Sequence, residues 1–166
     1  MTSLFDGVFF FWKETAGEAK EKSPALLEEA LSAFFRQTGA KEEKILRLPS
    51  GKPVFPSGEK FLSVTHTGSL YACAFAPFPV GLDGERRNEK REGVAERYFS
   101  PEERKMPFAR VWCAKEAVSK LDGRGLSILN KIAVFGSEAT LEGKKYLLTW
   151  KDVGENLLCL AREKEK

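Results

Sequence analysis

Histidine and cysteine are scarce in this 166-residue chain: one histidine, His66, and three cysteines, Cys73, Cys113 and Cys159. An odd number of widely spaced cysteines, each among apolar neighbours, argues for buried thiols and against a disulfide framework or a thiolate metal site. Charge of one sign is also lacking. Lys+Arg 27 against Asp+Glu 24 leaves a net charge of +3, which gives no general nucleic-acid footprint. No apolar run approaches the ~20 residues that a membrane-crossing helix needs. The stretch at residues 4–12 is apolar but short, starts beside Asp6 rather than a basic region and has no small-residue cleavage site. It is expected to be a strand, and the protein cytoplasmic, with neither membrane nor nucleic acid as partner. There is no repeat at a fixed period and no low-complexity tract. The G-x-S-x-G elbow of a serine hydrolase is absent, and Gly51-Lys52-Pro53 lacks the glycine spacing and following hydroxyl of a Walker loop.

What is present is the composition of a folded domain: 42% hydrophobic, 31% charged and 11% aromatic residues. That is too apolar for a disordered chain and suits one compact unit or two small halves. After a strand at 8–12 and a polar link at 13–23, Ser23 is positioned to cap a helix with Pro24 at its first position. Leu26, Leu27, Ala30, Leu31, Phe34 and Phe35 recur at helical spacing, and Gly39 supplies the stop. A short strand is expected at 45–48, then a turn-rich loop punctuated by Pro49, Gly51, Pro53, Pro56 and Gly58. Strands follow at 61–65, 70–76 and 80–83, the first two read as an antiparallel pair. An exposed helix is expected at 88–97, a capping box at Ser100 and Glu103, and a helix at 110–121 ended by Asp122-Gly123. Final strands fall at 132–135, 146–150 and 157–161. This mixed order favours an α+β fold over a doubly wound sheet.

Asp83 and Glu85 lie two apart at a strand end, so both side chains point to one face. Two carboxylates so placed suit a hard cation such as magnesium, and equally describe two solvated acids beside Arg86 and Arg87. Glu116 and Lys120, four apart on the 110–121 helix, share a face. They form either a surface ion pair or a third carboxylate beside a phosphate-neutralising lysine. His66, in the turn Thr65-His66-Thr67-Gly68, either binds phosphate or satisfies the turn. Lys52 sits in a proline-bounded loop with the same two readings.

In order, the chain carries Gly51-Lys52-Pro53, S-V-T-H-T-G at 63–68, P-V-G-L-D-G-E at 79–85, F-S-P-E-E at 99–103, W-C-A-K-E-A-V-S-K at 112–120 and G-R-G-L-S at 123–127. This order resembles the 4′-phosphopantetheinyl transferase superfamily. Within it, the chain looks most like the monomeric, two-subdomain branch with the patterns G-K-P, S-H-S-G, G-x-D-x-E, F-x-x-x-E and W-x-x-K-E-x-x-x-K. Gly84 stands where that family usually has Ile or Val, and Thr65 and Thr67 replace its serines.

The resemblance implies an α+β pseudo-dimer of two similar halves, 1–78 and 79–166, packed around a coenzyme A cleft. It implies Mg2+ held by Asp83, Glu85 and Glu116, and coenzyme A contacted by Lys52, Thr65, His66, Lys115 and Lys120. Glu116 and Lys120 would be catalytic, with Glu116 or a water on the metal as base. The implied reaction moves phosphopantetheine from coenzyme A to a serine of an acyl or peptidyl carrier protein. Arg86, Arg87, Lys90, Arg91, Arg104, Lys105 and Arg110 are then candidates for steering an acidic carrier. A diverged member that binds coenzyme A or a carrier protein without catalysis is the alternative.

Overall fold

The computed structural model describes residues 1–165. Helices and strands are mixed along the chain, an α+β fold, and the chain falls into two compact units, Met1–Val80 and Gly81–Lys166.

In the first unit, β1 (Thr2–Phe5) and β2 (Val8–Glu14) form a hairpin. The single strand expected at 4–12 is therefore corrected to two strands. Asp6 and Gly7 between them have φ of 51° and 76°, and Asp-Gly is the pair that a tight hairpin turn selects. With β5 (Phe61–Thr67) and β6 (Leu70–Ala76), they make an antiparallel sheet in the order β1-β2-β6-β5. β3 (Leu46–Arg47) and β4 (Pro53–Val54) pair separately, flanking the expected loop.

The helix α1 (Ala19–Thr38) lays Leu26, Leu27, Ala30, Leu31 and Phe34 against Phe9, Phe11, Tyr71, Cys73 and Phe75. Phe34 stacks on Phe75 with centroids 4.6 Å apart, and each such buried ring contributes roughly 1.5–3 kcal/mol. The expected start at Ser23 is wrong. The helix begins at Ala19, and Pro24 lies inside it. Ala19 is fully buried and its N–H donates to Gly68 O at 2.9 Å. This anchoring outweighs the single intrahelical bond that Pro24 removes near the helix start.

The second unit holds α2 (Glu92–Tyr98), α3 (Phe108–Asp122) and a sheet ordered β7-β11-β10-β9-β8. Its strands are β7 (Val80–Arg86), β8 (Ala133–Phe135), β9 (Glu138–Leu141), β10 (Lys144–Val153) and β11 (Asn156–Glu163). β8 to β11 pair antiparallel, and β9 is a strand that the hydrophobic pattern did not announce. The helix at 88–97 is shorter than expected. It is also less exposed, because Val94, Ala95 and Tyr98 pack against the core.

The capping box is present. Ser100 N–H donates to Glu103 Oε2 at 2.9 Å and Glu103 N–H to Ser100 Oγ at 3.2 Å, opening a 3-10 turn at Glu103–Lys105. α3 covers the sheet through Val111, Cys113, Ala114, Ala117 and Val118, which meet Tyr146, Leu148, Cys159 and Ala161 in one core. All three cysteines are free and buried, and burial pushes each thiol well above its ordinary pKa. Among the described residues, no helix is long and apolar enough to cross a membrane.

Candidate functional site

A residue without a side chain sets the geometry of the second unit. Gly81 lies inside β7, and a Cβ there would sit 1.9 Å from Ala117 O and 2.8 Å from Leu121 N of α3. Only glycine admits this approach. Gly81, Asp83 and Glu85 share one face of β7 by strand alternation, so the face that carries the acids is the face pressed toward α3. On α3, Cys113, Glu116, Ala117 and Lys120 recur at three- and four-residue spacing and form the matching stripe.

The two elements meet through specific contacts. Lys120 Nζ donates to Asp83 Oδ1 at 2.9 Å and to Leu82 O at 3.1 Å. Cys113 Sγ donates to Asp83 O at 3.1 Å, tying the strand backbone to the helix. Asp83 is buried, and Glu85 is half-buried with its Oε1 accepting from Arg91 Nη2 at 2.7 Å. Burial raises the pKa of Glu85, opposed by the Arg91 hydrogen bond and assisted by Asp83. Glu116 is pushed up to about 7, first by burial and then by the charge of Asp83, with Lys120 pulling the other way. Asp83, Glu85 and Glu116 thus feel one another's charge, and the structure brings them together with Lys120.

These residues fit a hard cation by their chemistry. All three offer carboxylate oxygens, the donors magnesium prefers, and their mutual repulsion is what a divalent cation relieves. As the side chains stand, no three His, Cys, Asp or Glu among the described residues converge on one point. Asp83 is engaged by Lys120 and Glu85 by Arg91 instead.

Lys115 does not join this group. It is 1% exposed, and its ammonium bonds Glu103 at 2.9 Å, Leu129 O at 3.1 Å and Ile132 O. Three protons meet three acceptors, so this lysine is a core residue. Burial lowers its pKa against the pull of Glu103. Glu103 Oε1 also accepts from Val134 N–H at 2.9 Å, which joins the capping turn, α3 and β8. The sequence marked Glu103 as a cap and gave no sign of this second task.

The remaining expected residues belong to the first unit. Thr65 is buried and His66 exposed at adjacent positions of β5, as alternation requires. Lys52 is half-buried in the loop before β4, with its carbonyl accepting from Leu48 N–H at 2.9 Å. Sequence reasoning missed Gly81, although it sits inside the P-V-G-L-D-G-E run, and offered Arg91 only as a surface charge.

Comparison with known proteins supplies a family. A 4′-phosphopantetheinyl transferase of Bacillus subtilis is 32% identical over 90 residues, covering 47% of this chain and 40% of that protein. The 4′-phosphopantetheinyl transferase Sfp of Bacillus subtilis strain 168 is 30% identical over 90 residues with the same coverage. A third, psf-1 of Bacillus pumilus, is 32% identical and covered over 39% of its length. The matches therefore span about two-fifths of each relative. The model of the 4′-phosphopantetheinyl transferase superfamily matches residues 79–163, the half that holds Asp83, Glu85, Glu116 and Lys120, and the chain belongs to that superfamily.

Proposed function

We propose that the chain transfers 4′-phosphopantetheine from coenzyme A to a serine hydroxyl of an acyl or peptidyl carrier protein, as a magnesium-dependent cytoplasmic monomer. The observation that carries this reading is the cluster of Asp83, Glu85 and Glu116 beside Lys120, inside the segment that the family model matches. A magnesium ion held by the three carboxylates would supply neutralisation of the pyrophosphate charge. Lys120, on the rim of the same cluster, would place its ammonium against phosphate oxygen, where preorganised charge lowers the barrier most. Glu116, poised at about 7, is the group suited to accept the serine proton. Lys52, Thr65 and His66 would bind the nucleotide end of coenzyme A. Lys115 is assigned to the core instead, because its protons are already committed.

Intact-mass spectrometry of apo carrier proteins, incubated with the protein, coenzyme A and Mg2+ beside a metal-free control, tests the reading. The expected result is a metal-dependent gain of one phosphopantetheine. A non-catalytic binding protein is the second reading, favoured by the engagement of Asp83 and Glu85 with internal cations. It would take over if coenzyme A bound by calorimetry and no carrier gained mass.

A further inference from the structure

Arg91 belongs to none of the motifs, yet it is held on several sides. Its guanidinium donates to Glu85 Oε1 at 2.7 Å and pairs with Glu89 Oε1 at 3.3 Å. It also lies over the rings of Phe108 and Trp112, at 5.5 and 5.8 Å from their centroids. Those rings are fixed in turn, because Phe108 stacks on both Phe99 and Trp112. A planar cation with aromatic faces beneath it and carboxylates at its edge loses little further freedom on forming such contacts. The contact with Glu85 is therefore a built feature of the fold.

We infer that Arg91 is a displaceable counter-ion of the cation site, holding Glu85 out of the ligating arrangement until a divalent ion takes its place, and thereby setting the affinity for that ion. The inference rests on the proposed reading of Asp83, Glu85 and Glu116 as metal carboxylates. Arg91 and Lys120 together oppose the three acids with two positive charges, so an incoming cation meets far less attraction than three bare carboxylates would exert. It must also break the Arg91 hydrogen bond to gain Glu85. Glu89 and the two rings leave the guanidinium a place to stay once Glu85 has turned away. Cation binding and the freeing of one arginine are then a single event.

Calorimetric titration of Mg2+ alone into the full chain reads this directly. Arg91→Met keeps the aliphatic contact with Phe108 and Trp112 and removes the competing charge, so it is expected to bind Mg2+ about tenfold more tightly, the effect of losing one part-exposed ion pair. Glu89→Gln, which loosens the hold on Arg91 without touching Glu85, leaves that competitor in place and is expected to shift affinity by about threefold or less. Misfolding lowers affinity, so a gain is a result that structural damage cannot produce; circular dichroism checks the fold. Equal or weaker binding by Arg91→Met overturns the inference and leaves the metal reading standing. No Mg2+ binding by either the parent or the variant overturns both.

Discussion

Lys115 and Lys120 lie on one helix, and each sits 2.9 Å from a carboxylate, yet the two pairs occupy opposite environments. The side chains of Lys115 and Glu103 are 1% and 4% exposed, while those of Lys120 and Asp83 are 33% and 10% exposed. In the first pair every ammonium proton has an acceptor inside the unit, so the charge has no further use. In the second, the Lys120 side chain is one-third exposed, where a ligand can compete for its ammonium. Two lysines in one short signature, W-C-A-K-E-A-V-S-K, are thus divided by burial: Lys115 holds the unit together, and Lys120 is the one that the proposed transfer would use.

The largest expected effect breaks the buried pair. Lys115→Met leaves Glu103 as an uncompensated buried carboxylate and should cost about 3–5 kcal/mol of stability, read as a fall in the urea midpoint. A midpoint unchanged from the parent would place this ion pair outside the energetics of the core. The rim pair should behave differently. Lys120→Met is expected to lower carrier modification by about 100- to 1000-fold and to cost about 1–3 kcal/mol of stability, less than Lys115→Met, because buried Asp83 loses an ammonium that is itself part-exposed; retained modification would remove Lys120 from the chemistry.

A smaller effect sharpens the contrast from the acid side. With its pKa pushed to about 7, ionised Glu116 is a burden on the metal-free fold at about pH 8. Glu116→Gln should then stabilise it by about 1–2 kcal/mol, after discounting for partial exposure, and should abolish transfer. A loss of stability in thermal melts would contradict this.

The smallest effect concerns a third lysine–carboxylate pair, Lys60 with Glu43 at 2.9 Å in the first unit. The Lys60 hydrogen bond, followed by bonds from Ser57, holds Glu43 at about 2. A depressed carboxylate stabilises the fold above its unfolded pKa, near 4.5, and that contribution is lost as pH falls from there through about 2. Glu43→Gln should therefore lower stability slightly near neutrality and flatten the acid limb in that window, so that urea midpoints of parent and variant converge as pH falls towards 2.

Much of this was legible in the sequence. The apolar spacing of α1, the capping box at Ser100 and Glu103, and the same-face placement of Asp83 with Glu85 all follow from local periodicity and hold in the structure. The start of α1 was not legible, because Ser23-Pro24 imitates a helix start, while the contact that decides it joins Ala19 to Gly68, far along the chain. β9 is too short and too polar for its pattern to stand out. Its register is imposed by β10. The distinction between Lys115 and Lys120 depends on where Glu103 arrives from outside the helix, which no spacing within α3 records. Arg91 was visible only as a charge, since its partners gather around it in three dimensions.

Gly81 has a consequence for how related sequences are read. Acidic pairs two residues apart are frequent at strand ends, so a search keyed to Asp83 and Glu85 alone gathers many unrelated proteins. The hydrogen atom at position 81 is a sterner criterion, because any heavier substituent would wedge β7 away from α3 and part the strand-borne acids from the helix-borne one. A homologue that keeps both acids but carries alanine or serine at this position is expected to have changed its helix to strand spacing, and with it the purpose of the acids.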